Sequence, residues 1–286
     1  MGKKLTSTKP FSQKISGRIF CALKQFSHRF LPPHEWSEKR ILMIMGCQRS
    51  GTTLIQDIFD HDRSTKVYGE FSELSDQDTE FNIRMNPLDS VRQTLQANRA
   101  GLIVLKPIVE SQNALKLLEA FENAKILWMY RDFRDAAASN INMFGPAAGI
   151  YDLQCIMDNR KGDWRAEGLS DEMRETVARN FSADMPPHDA AALFWFMRNS
   201  WIFQLGLNTH NRVMIKRYEK LVENPRETIE NIYGFIDFPF PGKHILPSIR
   251  RNSVGRGSEL KFSRNIEQMC GDLLVRIDSL RPDREL

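Results

Sequence analysis

A loop rich in hydrogen-bond donors follows the first apolar run of the sequence. After the apolar run 41–45, a glycine and two further residues, the chain continues with Arg49, Ser50, Gly51, Thr52 and Thr53. From Thr52 onward apolar residues recur at helical spacing, so the loop opens into a helix whose first free N–H groups point back across the turn. A helix N-terminus carries roughly +0.5 of an elementary charge. We therefore predict that this loop binds an anion.

The spacing of Gly46 and Gly51 matches a Walker A phosphate-binding loop. That motif continues with a lysine, which reaches the β and γ phosphates of a nucleoside triphosphate, and with Ser or Thr. This chain has Thr52 and Thr53 at those positions, and its cation is Arg49. The loop therefore suits a shorter anion such as a 5′-phosphosulfate. A kinase-like nucleoside triphosphatase is the alternative enzyme, and a nucleotide-binding module without catalysis is a third interpretation.

Charged residues also follow later apolar runs that we predict as strands. Glu70 comes after residues 67–68 and Lys106 after residues 101–105, while Arg131 follows residues 125–130. Open α/β sheets hold ligands beyond the carboxyl ends of their strands. A carboxylate placed there is a candidate general base. The sequence favours Glu70 for this role and leaves Glu73 as the alternative.

The string RSGTT after a buried strand resembles the 5′-phosphosulfate loop of the sulfotransferases that use 3′-phosphoadenosine 5′-phosphosulfate (PAPS). The Gly-Glu pair that follows is similar to the arrangement in tyrosylprotein and carbohydrate-type sulfotransferases. The resemblance implies an α/β fold, a P-loop-like core with a central, mostly parallel sheet flanked by helices. It also implies Glu70 as the general base and Lys106 as the group that stabilises the transition state.

The resemblance extends to the second anion of the donor. In the family, an arginine at the end of a strand and a serine eight residues later bind the 3′-phosphate, which implies Arg131 and Ser139 here. A tyrosine near the adenine implies Tyr218, and a basic loop that closes over the nucleotide implies Arg256 with Gly257. PAPS would be the sulfuryl donor and 3′,5′-bisphosphoadenosine (PAP) the product, with no metal required.

Two positions depart from the family pattern. Ile108 stands where the cytosolic small-molecule enzymes have a histidine, which favours a carboxylate as the base, and Leu54 replaces an aromatic that stacks on adenine in some members. The acceptor is a hydroxyl of a glycan, a lipid, a peptide tyrosine or a small molecule. Residues 145–187 are rich in glycine and charge, so we predict an irregular segment that binds this acceptor.

Composition narrows the function classes further. A net charge of +4 over 286 residues is mild, so an anionic small ligand fits better than a nucleic acid. The four cysteines form no C-x-x-C pair and the six histidines show no ligand spacing, so we predict no metal site. Cys47 lies in the anion loop, and we expect it to be the most reactive cysteine.

We predict two segments, a basic amphipathic extension over residues 1–40 and a sulfotransferase domain over residues 41–286. Apolar residues within 11–30 fall on one helical face. This face fits peripheral contact with an anionic membrane or packing on the catalytic domain, and the pattern supports both. Because no run of about 18 uncharged apolar residues occurs, we expect a cytoplasmic protein.

Overall fold

A parallel sheet forms the centre of the computed structural model, which describes Lys24 and residues 34–76, 83–246, 249 and 253–280. The strands are β1 (Arg40–Gly46), β2 (Thr65–Tyr68), β3 (Ser75–Asp76), β4 (Arg84–Met85), β5 (Leu102–Leu105), β6 (Ala124–Tyr130) and β7 (Val213–Arg217). Five of them pair in the order β2-β5-β1-β6-β7, and each pairing is parallel. Strands β3 and β4 form a separate antiparallel pair. The predicted α/β fold is confirmed.

Helices cover both faces of the sheet. They are α1 (Thr52–His61), α2 (Leu88–Ala97), α3 (Ala114–Ala120), α4 (Phe133–Phe144), α5 (Ala148–Met157), α6 (Asp171–Asn180), α7 (Pro187–Gln204), α8 (Tyr218–Glu223), α9 (Pro225–Phe235) and α10 (Arg264–Asp278). Short 3₁₀ turns lie at Trp36–Glu38, Ile108–Asn113, Leu207–Thr209 and Lys243–Ile245.

Strand β1 separates two buried clusters. Ile41, Met43 and Met45 join the cluster that contains α4, α7 and α10, whereas Leu42 and Ile44 join the cluster that contains α1 and α9. Successive side chains of a strand point to opposite faces, and a strand buried on both faces is apolar at every position. This is why β1 reads as an uninterrupted apolar run and not as an alternating one.

Residues 145–187 are more regular than the sequence predicts. They contain α5 and α6, with Leu153 and Ile156 buried on the first helix and Met173 and Val177 on the second. The side chain of Ser170 accepts a hydrogen bond from the Met173 N–H and so caps α6. Gly145, Gly162 and Gly168 lie in the connections between helices, whereas Gly149 is inside α5, where it packs closely against Ala191. The composition of the segment therefore did not indicate its two amphipathic helices.

Lys24 connects the N-terminal extension to the catalytic domain. Its Nζ donates to the carbonyls of Phe59 and Asp60, at 3.3 and 3.0 Å, and to Thr65 Oγ1 at 3.2 Å. These carbonyls belong to the last turn of α1, where a cation is stabilising. The rest of the predicted helix within 11–30 lies outside the described residues. None of the helices that the structure describes is long and apolar enough to cross a membrane.

Candidate active site

The anion loop is shaped by close backbone packing at its two glycines. Gly46 has a φ of 127°, and a Cβ there would lie 2.1 Å from the carbonyl oxygen of Met129 on β6. Gly51 has a φ of 90°, and a Cβ there would lie 2.3 Å from Cδ2 of Tyr218. Any side chain at either position would overlap its neighbour, so the loop can turn this tightly only with glycine.

One cavity of about 530 Å³ lies at the carboxyl ends of β1 and β6, which are neighbours in the sheet. Its lining includes all but one of the residues predicted to bind the nucleotide, namely Arg49, Gly51, Thr52, Thr53, Arg131, Ser139, Tyr218 and Arg256. The exception, Ser50, is fully buried behind the loop, and its Oγ makes no hydrogen bond within the described part of the chain. The two expected anion sites are therefore parts of a single cavity.

Direct contacts join the two predicted phosphate sites. Arg49 Nε donates to Ser139 Oγ at 3.0 Å, and Arg131 Nη1 donates to the carbonyl oxygen of Arg49 at 3.4 Å. Arg49 itself has a φ of 67°, in the left-handed region that non-glycine residues seldom occupy. Burial, and then the charge of Arg131, lower the pKa of the Arg49 guanidinium. Two cations are thus held close together at the wall of the cavity, where an anion would relieve their repulsion.

The Tyr218 ring lies between the anion loop and Arg131. The Arg131 guanidinium carbon lies 4.6 Å from the ring centroid, which is a cation–π contact. The Tyr218 hydroxyl is hydrogen-bonded to Ser253 Oγ at 2.6 Å, and Arg131 Nη2 donates to the Ser253 carbonyl. The segment that begins at Ser253 carries Arg256, so Tyr218 and Arg131 hold that segment at the cavity.

Asp135 anchors the same segment from α4, and the sequence analysis missed it. Its two carboxylate oxygens accept the N–H groups of Gly255 and Gly257, each at 2.8 Å, and its Oδ2 lies 3.3 Å from Arg131 Nη2. Gly257 packs so closely on α4 that a Cβ would lie 2.2 Å from the carbonyl of Arg134. The only local signal was the i,i+4 spacing from Arg131, which equally describes a surface ion pair.

Glu70 and Lys106 meet because β2 and β5 pair in register, with Tyr68 opposite Leu105. Lys106 Nζ lies 3.4 Å from Glu70 Oε1 and donates to Thr53 Oγ1 at 2.9 Å. The ammonium therefore bridges the carboxylate and the first turn of α1. Glu73 is exposed to solvent. Of the two carboxylates that the sequence left open, Glu70 is the one for which the structure shows an ion pair with Lys106.

A second contact missed by the sequence analysis supports the loop from α5. Gln48 Nε2 donates to Asp152 Oδ2 at 3.3 Å, and the other carboxylate oxygen of Asp152 accepts from Arg165 Nε at 2.5 Å. Asp152 is buried, and this burial raises its pKa despite the opposing charge of Arg165. The segment with α5 thus fixes the start of the anion loop through its side chains.

Cys47 is not placed to react. Its side chain is 3% exposed, and burial raises the pKa of the thiol to about 12. Since the thiolate is the reactive form, Cys47 is a poor nucleophile in the folded protein, and the other cysteines that the structure describes, Cys155 and Cys270, are buried as well. Within the described ranges, no group of three or more His, Cys, Asp or Glu side chains could hold a metal ion.

Comparison with known proteins identifies the family to which the chain belongs. The sulfotransferase domain family matches residues 39–269. No curated protein sequence matches the chain. Among solved structures, the sulfotransferase domain from the curacin biosynthetic pathway is 14% identical with a TM-score of 0.55, over 84% of this chain and 98% of that one.

A second solved structure gives the same fold. The sulfotransferase domain from the Synechococcus PCC 7002 olefin synthase is 16% identical with a TM-score of 0.50, over 88% of this chain and 98% of that one. At such identities the likeness shows a common fold, and the family match supplies the class of enzyme. The chain belongs to the sulfotransferase domain family and is an enzyme of that class.

Proposed function

We propose that this enzyme transfers the sulfuryl group of PAPS to an acceptor hydroxyl, with Glu70 as the general base and Lys106 as the stabilising cation. The observation that carries the proposal is the position of Lys106, which bridges Thr53 of the anion loop and Glu70 at 2.9 and 3.4 Å. A cation, an anion cradle and a carboxylate thus meet where a donor and a hydroxyl would react.

The cavity fits a donor with phosphates on both sides of its ribose. The N-terminus of α1, with Thr52 and Thr53, is the site for the 5′-phosphosulfate. Arg131, Ser139 and Arg256, which line the same cavity, are the site for the 3′-phosphate. The buried Ser50 Oγ, which lacks a hydrogen-bond partner in the described structure, is a donor available to the loop when an anion is bound.

Glu70 is suited to remove the proton of the acceptor. Its side chain is 23% exposed, so the carboxylate is open to an incoming hydroxyl while still in contact with Lys106. As the hydroxyl oxygen bonds to sulfur, its proton moves to the Glu70 carboxylate, the bond from sulfur to the 5′-phosphate breaks, and PAP carries away the electron pair. General-base assistance of this kind is typically worth about 10²–10⁴ in rate.

Lys106 is suited to stabilise charge that forms during the transfer. Its ammonium is 8% exposed and is fixed by Thr53, so little reorganisation is required when negative charge grows on the bridging oxygen. Arg49, which lines the large cavity together with Thr53, adds a second positive charge. At low exposure such charges interact more strongly than in bulk water.

The test separates donor binding from the chemical step. With a chelator present, PAP at 100 times its Kd should add about 2.7 kcal/mol to the free energy of unfolding. For a domain of this size, this raises the midpoint of thermal unfolding by roughly 5–10 °C. Glu70→Gln should keep this stabilisation and lose about 10²–10⁴ in kcat. Glu73→Gln is the matched control and should behave as the wild type.

Two results would refute the assignment. An undiminished kcat in Glu70→Gln excludes this base. Stabilisation by ATP with magnesium, in place of PAP without metal, would instead favour the nucleoside triphosphatase alternative, which the missing Walker A lysine already disfavours.

A further inference from the structure

Resting on the proposed function, we propose that the acceptor hydroxyl is carried by an apolar body, a phenol or an aliphatic alcohol, and that a sugar is a poor acceptor. An apolar cleft beside Glu70 and Lys106 carries the inference, because the carbon next to the reacting hydroxyl would have to enter it. The cleft measures about 20 Å³, and about 10–15 Å³ is needed for one water-sized group. It therefore admits one small group at a time.

The walls of the cleft are apolar side chains from three strands and their connections. They are Tyr68 at the end of β2, Leu105 at the end of β5, Met85 on β4, and Leu74 and Ile83, together with Pro107. Tyr68, Leu74 and Leu105 are buried in the main core, so these walls are continuous with the packed interior.

The polar groups that line the cleft bond mainly to one another. Ser75 Oγ donates to the Glu70 carbonyl at 2.6 Å and accepts the Ser72 N–H at 3.3 Å. Ser72 Oγ accepts the Leu74 N–H at 3.4 Å. Among the described lining residues, the Glu70 carboxylate and the Lys106 ammonium are the charged groups, and they can serve one hydroxyl and the transferring group.

The wall formed by β4 is held rigidly. Arg84 binds both carboxylate oxygens of Glu110, at 2.6 and 3.1 Å, and Glu110 also accepts the Met85 N–H at 3.0 Å. Burial acts to raise the pKa of Glu110, but its hydrogen bonds with Arg84 outweigh burial and hold the pKa below its usual value. Because the Met85 backbone is tied to a buried ion pair, the cleft cannot easily rearrange to accept a polar neighbour.

The expected discrimination follows from the chemistry of the walls. A sugar hydroxyl has a second hydroxyl on the adjacent carbon, and that group would enter the cleft without a partner. An apolar pocket rejects a ligand with one added hydroxyl by about 10²-fold. Because each further hydroxyl must also be desolvated, the kcat/KM for a monosaccharide should be lower than that for a simple diol.

The experiment compares acceptors that differ by one hydroxyl. With PAPS as donor, kcat/KM is measured through release of PAP for cyclohexanol, trans-1,2-cyclohexanediol and methyl glucoside, with phenol and catechol as a second pair. We expect each mono-ol to exceed its diol by about 10²-fold and the glucoside to be slowest. The ratio of phenol to cyclohexanol shows whether the apolar body is aromatic or aliphatic.

A variant tests whether the cleft is responsible. Met85→Gln places an amide in the cleft and should bring the ratio of mono-ol to diol down to about 10-fold or less. Leu115→Gln changes an exposed apolar residue on α3, outside the cleft and the predicted acceptor segment, and should leave the ratio as in the wild type. If Met85→Gln does not fold, the acceptor series on the wild type still decides the matter.

The outcomes separate this inference from the function on which it depends. Suppose that the protein binds PAP but uses the diol or the glucoside as well as the mono-ol, or that it turns over no mono-ol at all. Either result would refute the inference of an apolar acceptor. A protein that neither binds PAP nor consumes PAPS with any acceptor overturns the proposed function itself.

Discussion

Replacing Asp135 with Asn should weaken binding of PAP while leaving the chemical step intact. The carboxylate accepts the N–H groups of Gly255 and Gly257 at 2.8 Å each. The amide offers one acceptor oxygen, and its NH₂ group faces the second N–H, so one hydrogen bond is lost and the other becomes neutral. The segment with Arg256 then keeps one neutral hydrogen bond to residue 135, beside the contacts at Ser253.

The size of the effect follows from these bonds. A hydrogen bond to a charged group contributes about 1.5–3 kcal/mol, and a neutral bond is roughly half as strong, so the anchor loses about 2–4 kcal/mol. Asp135 also lies 3.3 Å from Arg131. Removing its charge makes the cavity more positive and strengthens the binding of a phosphate by on the order of 1 kcal/mol. The lost hydrogen bonding exceeds this electrostatic gain, so the Kd for PAP should rise about 5- to 150-fold.

The assay is calorimetric titration with PAP, together with KM for PAPS and kcat at saturating donor. The control is Asp132→Asn, because Asp132 accepts the Arg134 N–H at the start of the same helix and Asn caps a helix equally well. A KM that rises while kcat is unchanged supports the anchor. An unchanged Kd, or a fall in kcat with no change in KM, would refute this reasoning.

Two further predictions concern the anion loop and its surroundings. Gly51→Ala should raise the Kd for PAP at least about tenfold, because its Cβ would lie 2.3 Å from the Tyr218 ring. Gly162→Ala, also at positive φ but with nothing within 4 Å, should cost only about 1 kcal/mol of stability and leave the Kd unchanged; equal effects on PAP binding would contradict the packing argument. Burial raises the pKa values of Cys47 and Tyr68 from 9.0 and 10.0 to about 12 in the folded protein. As the pH rises, the unfolded chain loses these two protons before the folded protein does, so the free energy of unfolding should fall from about pH 9 towards pH 12. Urea midpoints at pH 8 and pH 10.5 check the direction, and rapid alkylation of Cys47 in the native protein at pH 8 would show that its thiol is not buried.

The sequence alone was sufficient to predict the strand, loop and helix at the cavity proposed for the donor. Strand β1, the loop and α1 are adjacent in the chain, and their signals are local: an apolar run, a glycine-bearing turn and a helical period. Lys106 and Arg131 could be placed because each directly follows an apolar run, and parallel strands end at one edge of the sheet. The sequence therefore predicts that these residues gather at one edge of the sheet.

Tertiary structure alone decided which distant groups contact one another. The order β2-β5-β1-β6-β7 brings Glu70 beside Lys106, and nothing in the local sequence distinguishes Glu70 from Glu73 in this respect. Asp135 meets Gly255 across 120 positions, and the apolar cleft combines residues from β2, β4 and β5. Such contacts depend on how complete elements pack, since short-range patterns report propensity and burial but not the identity of the neighbour across an interface.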